Sequence, residues 1–219
     1  MPAHSESEAV QDYLKEIYKL QSSEGRARTS AIAEATGVSP SSVTGMIKKL
    51  ATFGLVEHMR YHGVELTPKG EQIALEIVRH HRLIEQYLAE TLGLPIDQLH
   101  READRLEHAL SEELEVHIDA ALGHPTHDPH GDPIPDPQLS VPSDDLRPLS
   151  SLGEGEQATV RRVPDGNDGL LRYLTEIGLV PGCRLILTTV APYGGPLTLA
   201  LGGTDRAISR ELATQISVT

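Results

Sequence analysis

The stretch Thr29-Ser-Ala-Ile-Ala-Glu-Ala-Thr-Gly37-Val-Ser39-Pro40-Ser-Ser-Val-Thr44-Gly-Met-Ile-Lys48-Lys-Leu50 decides how this chain is read. Gly37 is placed to close a short helix in the left-handed conformation. Ser39 is placed to cap the next helix, and Pro40 takes that helix's first position, where a missing N–H costs nothing. The segment reads as helix, turn, helix. In the second helix Val43, Met46, Ile47 and Leu50 recur at helical spacing as a core stripe. That leaves Ser39, Ser41, Ser42, Thr44, Gly45 and Lys48 on the opposite face. After Gly54, Leu55 to Thr67 alternates like a short hairpin with His62-Gly63 near its tip. A helix-turn-helix followed by such a wing implies a second helix lying in the major groove of double-stranded DNA. The exposed hydroxyls and Lys48 would be its reading surface. With no Arg, Asn or Gln on that face for bidentate base contacts, sequence discrimination per monomer is expected to be modest. Arg28, Arg60 and His62, with Arg26 and Lys49, are candidate phosphate contacts.

On the N-terminal side, Val10, Tyr13, Leu14, Ile17, Tyr18 and Leu20 recur at helical spacing from about Glu6 to Gln21. On the C-terminal side, Pro68-Lys-Gly-Glu opens a long helix reaching to about Leu92. Another is expected from about Ile96 to Leu122, broken only at the cap-like Ser111-Glu112-Glu113. The proline-rich stretch Gly123 to Asp145 reads as an irregular linker. The remainder carries short β-rich runs at Gln157 to Val163, Arg184 to Val190, Leu197 to Leu201, Ala207 to Ile208 and Gln215 to Val218, around a helix from Leu170 to Ile177. Five short strands around one helix suggest a small barrel.

Chemistry concentrates in the middle. On a helix, His100, Asp104, Glu107 and His108 share one face, and His81 and Glu85 stack on consecutive turns. Residues 75–140 hold 14 Asp and Glu against 4 Lys and Arg, together with 8 of the 11 histidines. Such a segment repels DNA and attracts divalent cations. The flanking segments are close to neutral, so the net charge of −13 is mostly there. With no Trp and one Phe, a base-stacking surface for single strands is disfavoured. The apolar stretches are too short for a membrane span and the N-terminus does not read as a secretion signal, so a cytoplasmic location is expected. The lone Cys183 cannot form an internal disulfide and reads as a small barrel residue. A metallohydrolase would use the same donors, but it needs an open coordination position in a substrate-sized cleft and is disfavoured beside a DNA-reading module without a nucleophile motif. A winged-helix sensor of a small organic ligand is the other alternative, and metal titration separates it.

These residues resemble the iron- and manganese-dependent transcriptional repressors of the diphtheria toxin repressor type, including the manganese transport regulators. The resemblance runs through Asp12-Tyr-Leu-Lys-Glu-Ile-Tyr18, Ser39 to Thr44, Leu66-Thr-Pro-Lys-Gly70, His81-Arg-Leu-Ile-Glu85, His100 to His108 and Gly131-Asp-Pro-Ile-Pro135. Leu152-Gly-Glu-Gly, Leu174 to Gly182 and Pro192-Tyr-Gly-Gly-Pro-Leu197 are similar to the FeoA-like SH3 domain of ferrous iron transport accessory proteins. The resemblance implies a mainly α fold with a small β part. It divides into a winged helix-turn-helix at residues 1–74, a helical dimerisation and metal-binding domain at 75–140, a linker at 141–150 and an SH3-like β-barrel at 151–219. It also implies a homodimeric, metal-activated regulator of metal uptake genes binding a palindromic operator, with no membrane partner and no organic substrate. Carried over, the primary metal site would use Asp12, Asp104, Glu107 and His108, and the ancillary site His81, Glu85 and His100. Iron-type members have Met and Cys where this chain has Asp12 and Asp104, so an oxygen-rich site points to Mn²⁺, with Fe²⁺ second. Lys15 stands where two-metal manganese regulators have a carboxylate, which favours two separated sites. His127, Asp128, His130 and Asp132 could close the ancillary site, although flexible surface is the simpler reading of each.

Overall fold

The structure, a computed structural model, describes residues 7–59 and 63–219. The chain forms two compact units. One runs to His80 and takes in Pro135–Ser140; the other comprises His81–Ile134 and Val141–Thr219.

The first unit is helical with one hairpin. It contains α1 (Glu8–Glu24), α2 (Thr29–Thr36), α3 (Pro40–Thr52), β1 (Val56–Met59), β2 (Gly63–Leu66) and the first half of α4 (Pro68–Glu90). The turn between α2 and α3 follows the expected chemistry: Gly37 is left-handed at φ 67°, and the Ser39 hydroxyl accepts from Ser42 N–H. Val43, Ile47 and Leu50 are buried beside Val10, Leu14, Ile17, Ile32, Leu55 and Val64, so the apolar stripe is the core face. β1 and β2 pair antiparallel with Val56 opposite Leu66 and Met59 opposite Gly63. The backbone of Ala27 exchanges two hydrogen bonds with Val64, which anchors the hairpin. Gly70 enters α4 against Leu55, where a Cβ would lie 2.0 Å from the Leu55 carbonyl oxygen; only glycine allows that approach.

The second unit holds the rest of α4, then α5 (Ile96–Leu106), α6 (Glu112–Ala121) and a six-stranded antiparallel sheet. Its strands are β3 (Arg147–Pro148), β4 (Gln157–Arg162), β5 (Arg184–Val190), β6 (Leu197–Leu201), β7 (Thr204–Ile208) and β8 (Ser217–Val218), in the order β3-β8-β4-β5-β6-β7. Helices α7 (Asp168–Ile177) and α8 (Arg210–Gln215) contribute Leu171, Leu174 and Ala213 to its core. Ile96 of α5 packs against the same core.

Three expectations need correction. The helix starting at Ile96 ends at Leu106, five residues before the foreseen break, because Ser111 starts a new helix by accepting from Leu114 N–H and the intervening residues form a turn. The last strand, expected from Gln215 to Val218, is shorter: α8, capped by Ser209 at Leu212 N–H, runs to Gln215 and leaves only Ser217–Val218 as strand. The proline-rich segment is irregular but closely held: Ile134 is 2% exposed, and its N–H donates to Thr126 O. No described helix is long and apolar enough to cross a membrane.

Candidate metal centre

Helix α4 places His81 and Glu85 one turn apart, both buried, at 4% and 1% exposure. α5 brings His100 and Asp104 alongside, and the turn after it supplies Glu107 and His108. His81 sits at the centre. Its Nε2 lies 2.9 Å from His100 Nδ1 and 3.0 Å from Glu85 Oε1, and those two partners are 3.4 Å apart. Its Nδ1 lies 2.5 Å from Glu107 Oε2 and 3.4 Å from Asp104 Oδ1. The other oxygen of Glu107 is 3.5 Å from His108 Nε2. Asp104, nearly half exposed, also reaches within 3.6 Å of His100 Nε2.

The structure draws His81, Glu85 and His100 together, and Glu107 with His108. Asp104 falls beside His81 and His100, the three within ligand reach of one another. Asp12 lies on α1, in the first unit.

A further donor group lies in the proline-rich segment. Asp128 is 7% exposed, His130 is fully buried, and both join Glu85 within ligand reach. The Asp128 carboxylate accepts from the N–H groups of His130 and Asp132, which folds the loop around it, while its other oxygen faces Arg82. The His130 backbone carbonyl accepts from Val163 N–H, and the Gly131 carbonyl from Arg162 Nε. The imidazole of His130 is fixed inward: Nδ1 is 3.5 Å from Glu85 Oε2, and neither ring nitrogen makes a hydrogen bond. A buried ring nitrogen without a hydrogen bond is costly unless something else satisfies it. The alternation of His and Asp between prolines, His127-Asp-Pro-His-Gly-Asp-Pro133, was the available signal.

Charge is unevenly tolerated here. Burial opposes ionisation of Glu85, but the imidazoles of His100, His130 and His81 outweigh it and hold the carboxyl well below the usual range. Burial, followed by the negative charges of Asp132 and Glu85, pushes Asp128 up to about 7. Burial also opposes a charged His130, yet Glu85, Asp128 and Asp165 raise it to about 9. A buried cluster of carboxylates and imidazoles offers the oxygen and nitrogen donors that suit a divalent cation. In an octahedral site with bonds of about 2.1 Å, neighbouring donors lie about 3 Å apart, and the spacings of 2.9, 3.0 and 3.4 Å among His81, Glu85 and His100 fit it.

Of the DNA-facing candidates, Ser41, Ser42, Thr44 and Lys48 are exposed on α3, Ser39 is exposed at its N-cap, and Arg28 is exposed just before α2. The three serines are linked through the Ser39 hydroxyl, and Thr44 Oγ1 donates to Pro40 O. Arg60 and His62 lie outside the described residues.

Comparison with known proteins agrees with this layout. Residues 6–64 match the N-terminal DNA-binding domain of iron-dependent repressors, 67–136 their metal-binding and dimerisation domain, and 147–219 the FeoA domain. The iron-dependent repressor IdeR of Mycobacterium leprae (strain TN) is 31% identical, with 94% of each chain covered. The transcriptional regulator MntR of Lysinibacillus sphaericus (strain C3-41) is 40% identical over 47% of this chain and 73% of its own. Among solved structures, a manganese-dependent transcriptional repressor in complex with manganese is 39% identical with a TM-score of 0.89, covering 96% of this chain and 99% of that one. The chain belongs to the iron-dependent repressor family, whose members are metal-dependent DNA-binding transcriptional repressors rather than enzymes.

Proposed function

We propose that this chain is a manganese-responsive repressor of metal uptake genes that binds a palindromic operator as a homodimer, with Fe²⁺ as a weaker activator. The observation that carries the metal assignment is the donor set: His81, Glu85, His100, Asp104, Glu107 and His108 offer only nitrogen and oxygen, with no sulfur among them. Such a set suits Mn²⁺, which binds sulfur-containing sites poorly against its competitors. The primary set is Glu107 and His108, with Asp12 and Asp104 added on the strength of the family resemblance; Asp104 lies beside His81 and His100 as well. The ancillary set is His81, Glu85 and His100, extended by Asp128 and His130.

Residues 1–74 form the winged helix-turn-helix reader, 75–140 the helical metal and dimer domain, and 151–219 an SH3-like barrel joined by 141–150. Leu106, Leu114 and Val116 are each about half exposed or more, apolar side chains in the helical region that a second copy would cover. Two α3 helices would then address successive major grooves through Ser39, Ser41, Ser42, Thr44 and Lys48, with Arg28, Arg60 and His62 on phosphates. A bound cation supplies positive charge that draws carboxylates and imidazoles into one arrangement. Asp12 is the reading domain's own contribution to that arrangement, so occupancy selects the DNA-binding state.

Fragments of genomic DNA retained by the protein with Mn²⁺ and with EDTA test the reading. Palindromes enriched only with metal are expected; equal retention in both would favour an organic-ligand sensor. Asp12→Ala should keep the circular dichroism of the parent and lose Mn²⁺-activated operator binding by at least about tenfold in an anisotropy titration, in line with the loss of one metal ligand.

A further inference from the structure

One imidazole is common to both donor groups. His81 Nε2 converges with Glu85 Oε1 and His100 Nδ1, while His81 Nδ1 meets Glu107 Oε2 at 2.5 Å. The competing acceptor at Nδ1, Asp104 Oδ1, is farther away at 3.4 Å. Both members of the short contact are sealed from water, at 4% and 0% exposure. Glu107 is thus gripped through Oε2 and turns Oε1 toward His108 Nε2, 3.5 Å away.

We propose that His81 is a positioning residue that couples the two metal sets, ligating at the ancillary set through Nε2 while its Nδ1–H orients the Glu107 carboxylate for the primary set. This rests on the metal-activated reading above. A nitrogen that ligates a cation presents its lone pair, so the single proton of a neutral imidazole sits on the other nitrogen. Here that other nitrogen faces a buried carboxylate with no water to take its place. The carboxylate–imidazole–metal arrangement normally serves one site, with the carboxylate in a supporting role. In this chain the supporting carboxylate is itself a ligand of the neighbouring set, so filling the ancillary set removes freedom that the primary set would otherwise have to remove.

The consequence is positive coupling, and its sign is diagnostic. Two dications held close together repel each other, so without the His81 link each site should bind more tightly when the other is removed. With the link, the reverse holds and the effect is reciprocal.

Calorimetric titration of the full chain with Mn²⁺ tests this, using His100→Ala to damage the ancillary set and His108→Ala to damage the primary one. Both leave His81 and Glu107 in place, and circular dichroism checks that each variant folds. Each substitution is expected to weaken the surviving site on the order of tenfold, and by a similar factor in both directions. Nitrogen-15 NMR of the imidazoles in the Cd²⁺-loaded chain should show His81 ligated at Nε2 and protonated at Nδ1, and His108→Ala should keep that pattern. Unchanged or tighter binding at the surviving site, or a His81 ligated through Nδ1, overturns the coupling. Failure of the parent chain to bind Mn²⁺ at all would instead overturn the metal-activated reading on which it rests.

Discussion

Asp104 combines a hard carboxylate with partial exposure and two imidazole neighbours, His81 at 3.4 Å and His100 at 3.6 Å. Replacing it by cysteine exchanges the oxygen for a polarisable thiolate without lengthening the side chain. Asp104→Cys is expected to lower Mn²⁺ affinity relative to Co²⁺ by about tenfold, because thiolate favours the later metals of the divalent series. An unchanged ratio in competition calorimetry would remove the hard-ligand basis of the manganese assignment. The residues of this region were not equally legible from sequence. His81, Glu85, His100 and Asp104 could be grouped because a helix maps a four-residue interval onto one face. Asp128 and His130 could be named as candidates to close the ancillary site, but an irregular segment has no period from which to infer that they face inward. Asp165, whose charge bears on His130, comes from a loop with no sequence signal tying it to the cluster.

At the scale of elements, helix starts were readable and some stops were not. Ser39 and Ser111 cap helices where the sequence placed them, since a cap is a local hydrogen bond written into neighbouring residues. The end of α5 at Leu106 carries no Gly or Pro. Just beyond it Leu110 is buried with Ile84, Leu88, Leu99 and Ala103, a tertiary contact invisible in a local window. The loop from Gly123 to Ile134 shows the same dependence. Gly131 adopts φ +90°, and a Cβ there would lie 1.8 Å from the Arg161 carbonyl oxygen. Backbone cannot retreat as a flexible side chain does. Gly131→Ala is therefore expected to destabilise by about 1–3 kcal/mol, combining overpacking with a left-handed backbone that alanine resists. It should also displace His130, whose carbonyl is held by Val163 N–H one residue away. A lowered urea midpoint accompanied by weaker metal binding is the expected pair of results. A lowered midpoint with unchanged Mn²⁺ affinity would separate the loop from the metal site.

At the scale of the molecule, the C-terminal sheet segment has more than one hold on the helical metal region within its unit. Ile96 of α5 packs on the sheet's core, and Arg172 of α7 donates to Asp97 at 2.9 and 3.1 Å. Arg162 lies 3.2 Å from Asp132, and Val163 N–H meets His130 O. The ion pairs are partly exposed and contribute little individually. The loop contacts matter more, because they determine where the buried His130 ring points. The primary donors Glu107 and His108 belong to the α5 turn and need none of these contacts. Removing residues 147–219 should therefore act selectively, costing the ancillary set its framework while leaving a chain that still takes up Mn²⁺ at the primary set. A two-site isotherm is expected to become a one-site isotherm. Operator binding should persist, but require more Mn²⁺, because the ancillary set no longer helps to orient Glu107. Two intact sites after truncation would mean that the loop holds Asp128 and His130 unaided. Complete loss of metal binding, in a chain that keeps its helical circular dichroism, would mean that the sheet segment supports the primary donors as well.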